Sequence, residues 1–223
     1  MRPMLRRLTA EALGTFGLVF IGCAVVMSNY YPKAGFNTLG IAIAHGLVLS
    51  IMVTCTMSIS GGHLNPAVTL GLLTGRRIDA RTAGLYILAQ LLGAVLAALM
   101  LKQILPPGVT VPVNLGTPAI ASTITIGPAI VLEAVLTFFL VSAVYGTVLN
   151  PDAPRVGGFG VGLVLTFDIL AGGPISGGVM NPARAFGPAL VSGSWYAHAV
   201  WWIGPILGGV LAGLLWDRVL LKK

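Results

Sequence analysis

Long apolar runs separated by short polar segments set the pattern of this chain. A helix needs about 20 apolar residues to cross the hydrocarbon of a bilayer. The runs over 8–28, 39–58, 82–103, 127–149, 157–172 and 197–219 meet or approach that length, the fifth being the shortest. They predict six spanning α-helices. Two more apolar stretches, Pro66 to Thr74 and Pro182 to Val191, are too short to cross. Irregular backbone at membrane depth is tolerated only where protein buries it or it lines a watery cavity. These stretches therefore predict re-entrant half-helices, and the fold class expected is an all-α membrane protein.

The pattern is written twice. Ile59-Ser-Gly-Gly-His-Leu-Asn-Pro-Ala67 returns as Ile175-Ser-Gly-Gly-Val-Met-Asn-Pro-Ala183, seven of nine positions being identical. Glu11-Ala-Leu-Gly-Thr-Phe16 matches Glu133-Ala-Val-Leu-Thr-Phe138, and Leu91-Leu-Gly-Ala-Val-Leu-Ala97 parallels Ile206-Leu-Gly-Gly-Val-Leu-Ala212. Each half thus holds three spans and one half-helix, and an odd number of spans inverts the second half in the membrane. Residues 1–223 read as one transmembrane channel domain, with a first inverted repeat over 1–110 and a second over 111–223.

Charge supports this topology. With both termini in the cytoplasm, Arg2, Arg6, Arg7, Arg76, Arg77, Arg81, Arg155, Arg218, Lys222 and Lys223 fall inside, against Lys33 and Lys102 outside. Cytoplasmic loops carry such an excess. Tyr30, Tyr31, Trp195 and Tyr196 then sit at the outer interface as aromatic anchors. The net charge of +7 does not gather on one face, which argues against a nucleic-acid partner. Only 9% of residues are charged, against about 25% in a soluble domain; the expected setting is lipid, in the plasma (inner) membrane. Cys23 and Cys55 lie within apolar runs and read as small buried hydrophobes. Three dispersed histidines make no metal site, and no cofactor is expected.

Asn caps a helix by accepting from its first free amides, and Pro suits the first helical position because it lacks an N–H. Asn65-Pro66-Ala67 and Asn181-Pro182-Ala183 therefore each start a half-helix deep in the bilayer. Inverted symmetry sets the two starts nose to nose, each with the positive end of its helix dipole, about half a charge. A cation meeting both is repelled, while a neutral polar molecule passes. Upstream, Gly61, Gly62 and His63, with Gly177, Gly178 and Val179, read as extended backbone whose carbonyls line the path. His63 has a structural role as a rival reading. Glu11 and Glu133 are intramembrane carboxylates at equivalent points of the halves, placed to accept from the N–H groups of the re-entrant loops.

From Glu11 to Trp216 the chain resembles the aquaporin (major intrinsic protein) family, on the phrases Ser60-Gly-Gly-His-Leu-Asn-Pro-Ala-Val-Thr69 and Asn181-Pro-Ala-Arg-Ala-Phe-Gly187. The resemblance implies a passive channel, not an enzyme, assembled as a homotetramer. It also implies an outer selectivity filter of His45, Ile169, Gly178 and Arg184. Strict water channels of the family usually have Phe and His at the first two of these positions. The set here is similar to the tonoplast intrinsic proteins and the ammonia-permeable branch. Those plant channels often carry a His in the loop after span three, where Val111-Pro-Val-Asn114 offers Asn114. Glycerol facilitators place an Asp after the second Asn-Pro-Ala-Arg, and Ala185 stands there. The function expected is passage of water and small neutral solutes, with ammonia first and hydrogen peroxide or urea next, excluding protons and ions. A strict water channel or a glycerol facilitator is the alternative, and a secondary transporter the rival from another class. Asp168, next to Ile169 in the fifth span, either pairs with a neighbour or lies near the outer water.

Overall fold

The computed structural model describes residues 2–31, 35, 37–154 and 156–221. Lys33, Arg155, Lys222 and Lys223 of the topology argument lie outside the described residues.

Nine α-helices form among the described residues: α1 (Arg2–Ser28), α2 (Thr38–Thr56), α3 (Pro66–Thr74), α4 (Ala80–Ile104), α5 (Pro107–Thr110), α6 (Ile126–Ala143), α7 (Gly158–Ser176), α8 (Pro182–Ser192) and α9 (Val200–Leu215). Six are long and apolar enough to span: α1, α2, α4, α7, and α6 and α9 with the π-helical turns Val144–Leu149 and Trp216–Leu220 that prolong them. The half-helices α3 and α8 open on Asn65 and Asn181 with Pro next, as the capping chemistry requires. Asp79 caps α4 by accepting from the Thr82 amide and hydroxyl, bonds that hold its carboxyl below the usual carboxylate range.

Helices pair as the repeat demands. α1 packs on α4 and α6 on α9, while α2 meets α7 across the centre. Small residues allow the close crossings that membrane helices use. At the α2–α7 crossing a Cβ on Gly46 would fall 2.6 Å from the Gly162 carbonyl oxygen, so the backbones touch there. The half-helices are exchanged: α3 packs on α9 and α8 on α4, each against a span of the other half.

Several boundaries differ from expectation. α1 begins at Arg2 rather than residue 8, since its polar first turns remain helical. α7 continues to Ser176, four residues past the expected 172, with Pro174 near its end. α9 starts at Val200 rather than 197, because Ala197 takes a left-handed φ of 53°. Cys23 is buried, but Cys55 is exposed on the outer face of α2, correcting its reading as a buried hydrophobe.

Candidate functional site

A narrow cavity of about 60 Å³ lies between the two half-helix starts. That is above the roughly 10–15 Å³ a cavity needs to hold a water. Most of its wall is apolar, with Leu18, Ile41, Leu49, Val53, Leu140 and Leu165 among its members. Polar atoms come from few places: His45, His63, Asn65, Asn181, Arg184 and the loop backbone at Gly62, Gly177, Gly178 and Val179. Ile169 shares this wall. Gly61 does not; it lines a wider chamber beyond His63.

The loops are not simply extended. Gly61, Gly62, Gly177 and Gly178 have φ of 97°, 63°, 92° and 55°, and Leu64 and Met180 have 52° and 53°. A left-handed conformation costs a non-glycine residue roughly 1–2 kcal/mol. The two carboxylates act where that cost falls. Glu11 accepts from the Leu64 amide at 2.7 Å, the His63 amide at 3.0 Å, the Ser60 hydroxyl at 2.6 Å and the Gln90 side-chain amide at 2.8 Å. Glu133 accepts from the Met180 amide at 2.7 Å, the Val179 amide at 3.0 Å and the Ser176 hydroxyl at 2.7 Å. Tyr86 donates to the Ser60 carbonyl at 2.7 Å, and the Trp201 indole N–H donates to the Ser176 carbonyl at 2.8 Å.

The asparagines cross-link the halves. Asn65 Oδ1 accepts from the Ala67 amide, and Asn181 Oδ1 from the Ala183 and Arg184 amides. Asn65 Nδ2 donates to the Met180 carbonyl at 2.8 Å, and Asn181 Nδ2 donates to the Leu64 carbonyl at 3.0 Å. An amide NH₂ has two hydrogens, so each asparagine keeps one for a guest in the cavity.

At the outer end Arg184 Nη1 donates to the Gly116 carbonyl at 2.7 Å. This ties Arg184 to the 3₁₀ turn Asn114–Gly116. His45 Nδ1 lies 2.9 Å from the Ile41 carbonyl. A carbonyl only accepts, so Nδ1 carries the proton and Nε2 keeps its lone pair, beside Gly22. Asn114 lies apart, in an outer hollow with Lys102 and Ser192. Asp168 does neither of the things expected of it. It is 1% exposed, and its Oδ2 has no hydrogen-bond partner among the described residues. His63 Nδ1 is 3.1 Å from Thr69 Oγ1, and its ring meets Tyr86 edge-on. His198 packs on Trp195 and accepts from the Trp202 indole N–H, and burial lowers its pKa.

Six spanning helices around one narrow, sparsely polar cavity define a membrane channel. The family model for the major intrinsic protein matches residues 2–216. Aquaporin TIP4-4 of Zea mays is 44% identical over 98% of this chain and 88% of its own length. Aquaporin TIP2-1 of Arabidopsis thaliana is 40% identical over 96% and 87%. The aquaglyceroporin of Plasmodium falciparum superposes with a TM-score of 0.82 over 97% of this chain and 96% of that one, at 23% identity, a likeness of fold. The chain belongs to the major intrinsic protein family. It is an integral multi-pass membrane protein, a passive channel for water and small solutes and not an enzyme. The TIP-type relatives lend no support to the expected plasma-membrane placement.

Proposed function

We propose that the channel conducts ammonia as well as water, with hydrogen peroxide and urea as further neutral guests, and rejects protons and ions. The observation that carries this reading is the composition of one cavity wall: Asn65, Asn181, His45, Ile169, Gly178 and Arg184 all face the same narrow space. Ile169 and Gly178 bring no ring and no side-chain donor, so the outer constriction is wide and half apolar. His45 Nε2 offers an acceptor and Arg184 a donor, which suits a small molecule that both gives and takes hydrogen bonds. The free amide hydrogens of Asn65 and Asn181 orient a water oxygen, and a water so held cannot accept from its neighbour, which interrupts a proton wire. The positive ends of α3 and α8 and the permanent charge of Arg184 oppose cations.

In this reading Pro66, Ala67, Pro182 and Ala183 complete the two half-helix starts. Glu11 and Glu133 support the loops, and residues 1–110 and 111–223 act as the repeats of one channel domain, with both termini cytoplasmic. The protein assembles as a homotetramer, which native mass spectrometry in detergent tests directly. Ala185, one residue beyond Arg184, leaves no carboxylate for a polyol, which argues against glycerol. Stopped-flow permeation in proteoliposomes, comparing water, ammonia, hydrogen peroxide, urea and glycerol, tests the solute range. Ammonia flux no greater than in protein-free vesicles overturns it, and a requirement for an ion gradient revives the transporter.

A further inference from the structure

On the side where α1 begins and α9 ends, the central cavity meets a wider chamber of about 420 Å³. His63 and Val144 belong to the walls of both, so they mark the throat between them. Arg7 and Arg77 both line the chamber, with Ser60 and Gly61 beside them, and none of its lining residues is acidic. The rest of the wall is apolar.

The two guanidinium groups are held differently. Arg77 Nη2 pairs with Asp217 Oδ1 at 2.7 Å, its side chain 40% exposed. Arg7 makes no ion pair among the described residues. Its guanidinium carbon lies 5.3 Å above the centre of the Tyr86 ring. Glu11, one turn further along α1, is fully buried, and its two oxygens already take four donors. A guanidinium has five N–H donors in a planar fork that matches phosphate. Among the described residues one carboxylate oxygen pairs with Arg77 and none with Arg7, so both forks keep N–H donors for an oxyanion.

We propose that this chamber binds a phosphate-type oxyanion between Arg7 and Arg77, and that the bound anion closes the throat at His63 to water. The inference rests on the channel reading above. Two sources share the ligand chemistry: free inorganic phosphate and the headgroup of an anionic lipid. An ion at this place stands beside His63 and Val144, where the chamber meets the central cavity, so occupancy reads out as lost water flux.

The experiment is stopped-flow water permeability of the full chain in phosphatidylcholine vesicles, with chloride replaced by millimolar phosphate on both sides at equal osmolarity. A Kd of about 1 mM gives half occupancy in that range, and water permeability is expected to fall at least about twofold. Each variant is compared with its own flux in chloride: Arg7→Gln is expected to lose the phosphate effect, while Arg7→Lys keeps the charge without the fork and retains part of it. Vesicles containing phosphatidylglycerol, in chloride, form the second arm; a fall there and not with phosphate assigns the site to a lipid headgroup. Equal permeability in all three conditions, or an undiminished fall in Arg7→Gln, overturns the proposal. Water flux in chloride no greater than in protein-free vesicles overturns the channel reading and this inference together.

Discussion

The two re-entrant loops share a frame and differ in what they present. In both, a buried carboxylate accepts from a serine hydroxyl and two loop amides, and an aromatic donor holds the serine carbonyl: Glu11, Ser60 and Tyr86 in one, Glu133, Ser176 and Trp201 in the other. The lining is exchanged. His63 and Val68 of the first loop correspond to Val179 and Arg184 of the second, and all four face the central cavity. The first loop also carries Gln90 and Thr69, bonded to each other, where the second has Pro205 and Ala185. Duplication therefore preserves the backbone support and frees the side chains. One loop puts an imidazole between the central cavity and the chamber, and the other puts a permanent charge on the wall of the central cavity.

The largest effect is expected where the shared frame is broken. Glu11→Ala and Glu133→Ala each leave two buried loop amides without an acceptor, at about 1–3 kcal/mol apiece, and leave the serine hydroxyl only a long bond to a helix carbonyl. Neither variant should yield a monodisperse protein in detergent at wild-type level. A Glu133→Ala protein that melts as late as the wild type would show that the loop holds itself.

Next is Arg184→Val, which gives the second loop the residue of the first, Val68. Proton leak, followed with a pH-sensitive dye in the vesicles, should rise at least about tenfold, equivalent to roughly 1.4 kcal/mol of lost barrier, while water flux persists. An unchanged leak in the folded variant would place cation rejection elsewhere, in the half-helix dipoles alone.

A smaller effect separates the paired glycines. Gly62 and Gly178 both have left-handed φ, and an added Cβ meets backbone at 3.1 Å from the Val53 oxygen and 3.0 Å from the Gly173 nitrogen respectively. Alanine at either should cost about 1–2 kcal/mol of stability. Only Gly178→Ala should also lower the ammonia-to-water ratio. Equal changes of the ratio at both would remove the distinction between filter and inner loop. Mercurials should block the wild type weakly, since Cys23 is buried and Cys55 faces outward from α2. Introducing Cys at Gly178 meets the same backbone strain as Ala.

Much of this frame is legible in the chain. Apolar run length sets the six spans, Asn-Pro sets both half-helix starts, and the doubled phrase pairs Glu11 with Glu133. Periodicity does not report dihedral sign, so the left-handed Leu64 and Met180 are invisible to it. The same holds for the π-helical turns after α6 and α9, the first mostly apolar and the second carrying Asp217 and Arg218, since neither composition marks a widened turn. Sequence reading also passes over Tyr86, Gln90, Thr69 and Trp201. For Tyr86 and Trp201 a signal exists: two polar-tipped aromatics at equivalent places in the third and sixth spans. No local pattern announces the Gly116 carbonyl under Arg184, because that bond joins residues 68 apart. Asp168 Oδ2 has no hydrogen-bond partner among the described residues, and nothing in the structure explains its place.

The central claim is that the outer wall selects by width, through His45 and Ile169. The measurement is the ratio of ammonia (or methylamine) to water permeability in vesicles holding equal protein, for the wild type and for His45→Phe with Ile169→His. The double substitution enlarges the first ring and adds a second where Ile169 has none. It leaves the path past Asn65 and Asn181 intact. The ratio should fall at least about tenfold, or roughly 1.4 kcal/mol of added barrier, with water flux little changed. An unchanged ratio in the double variant, or a wild type that passes no ammonia, would contradict the account.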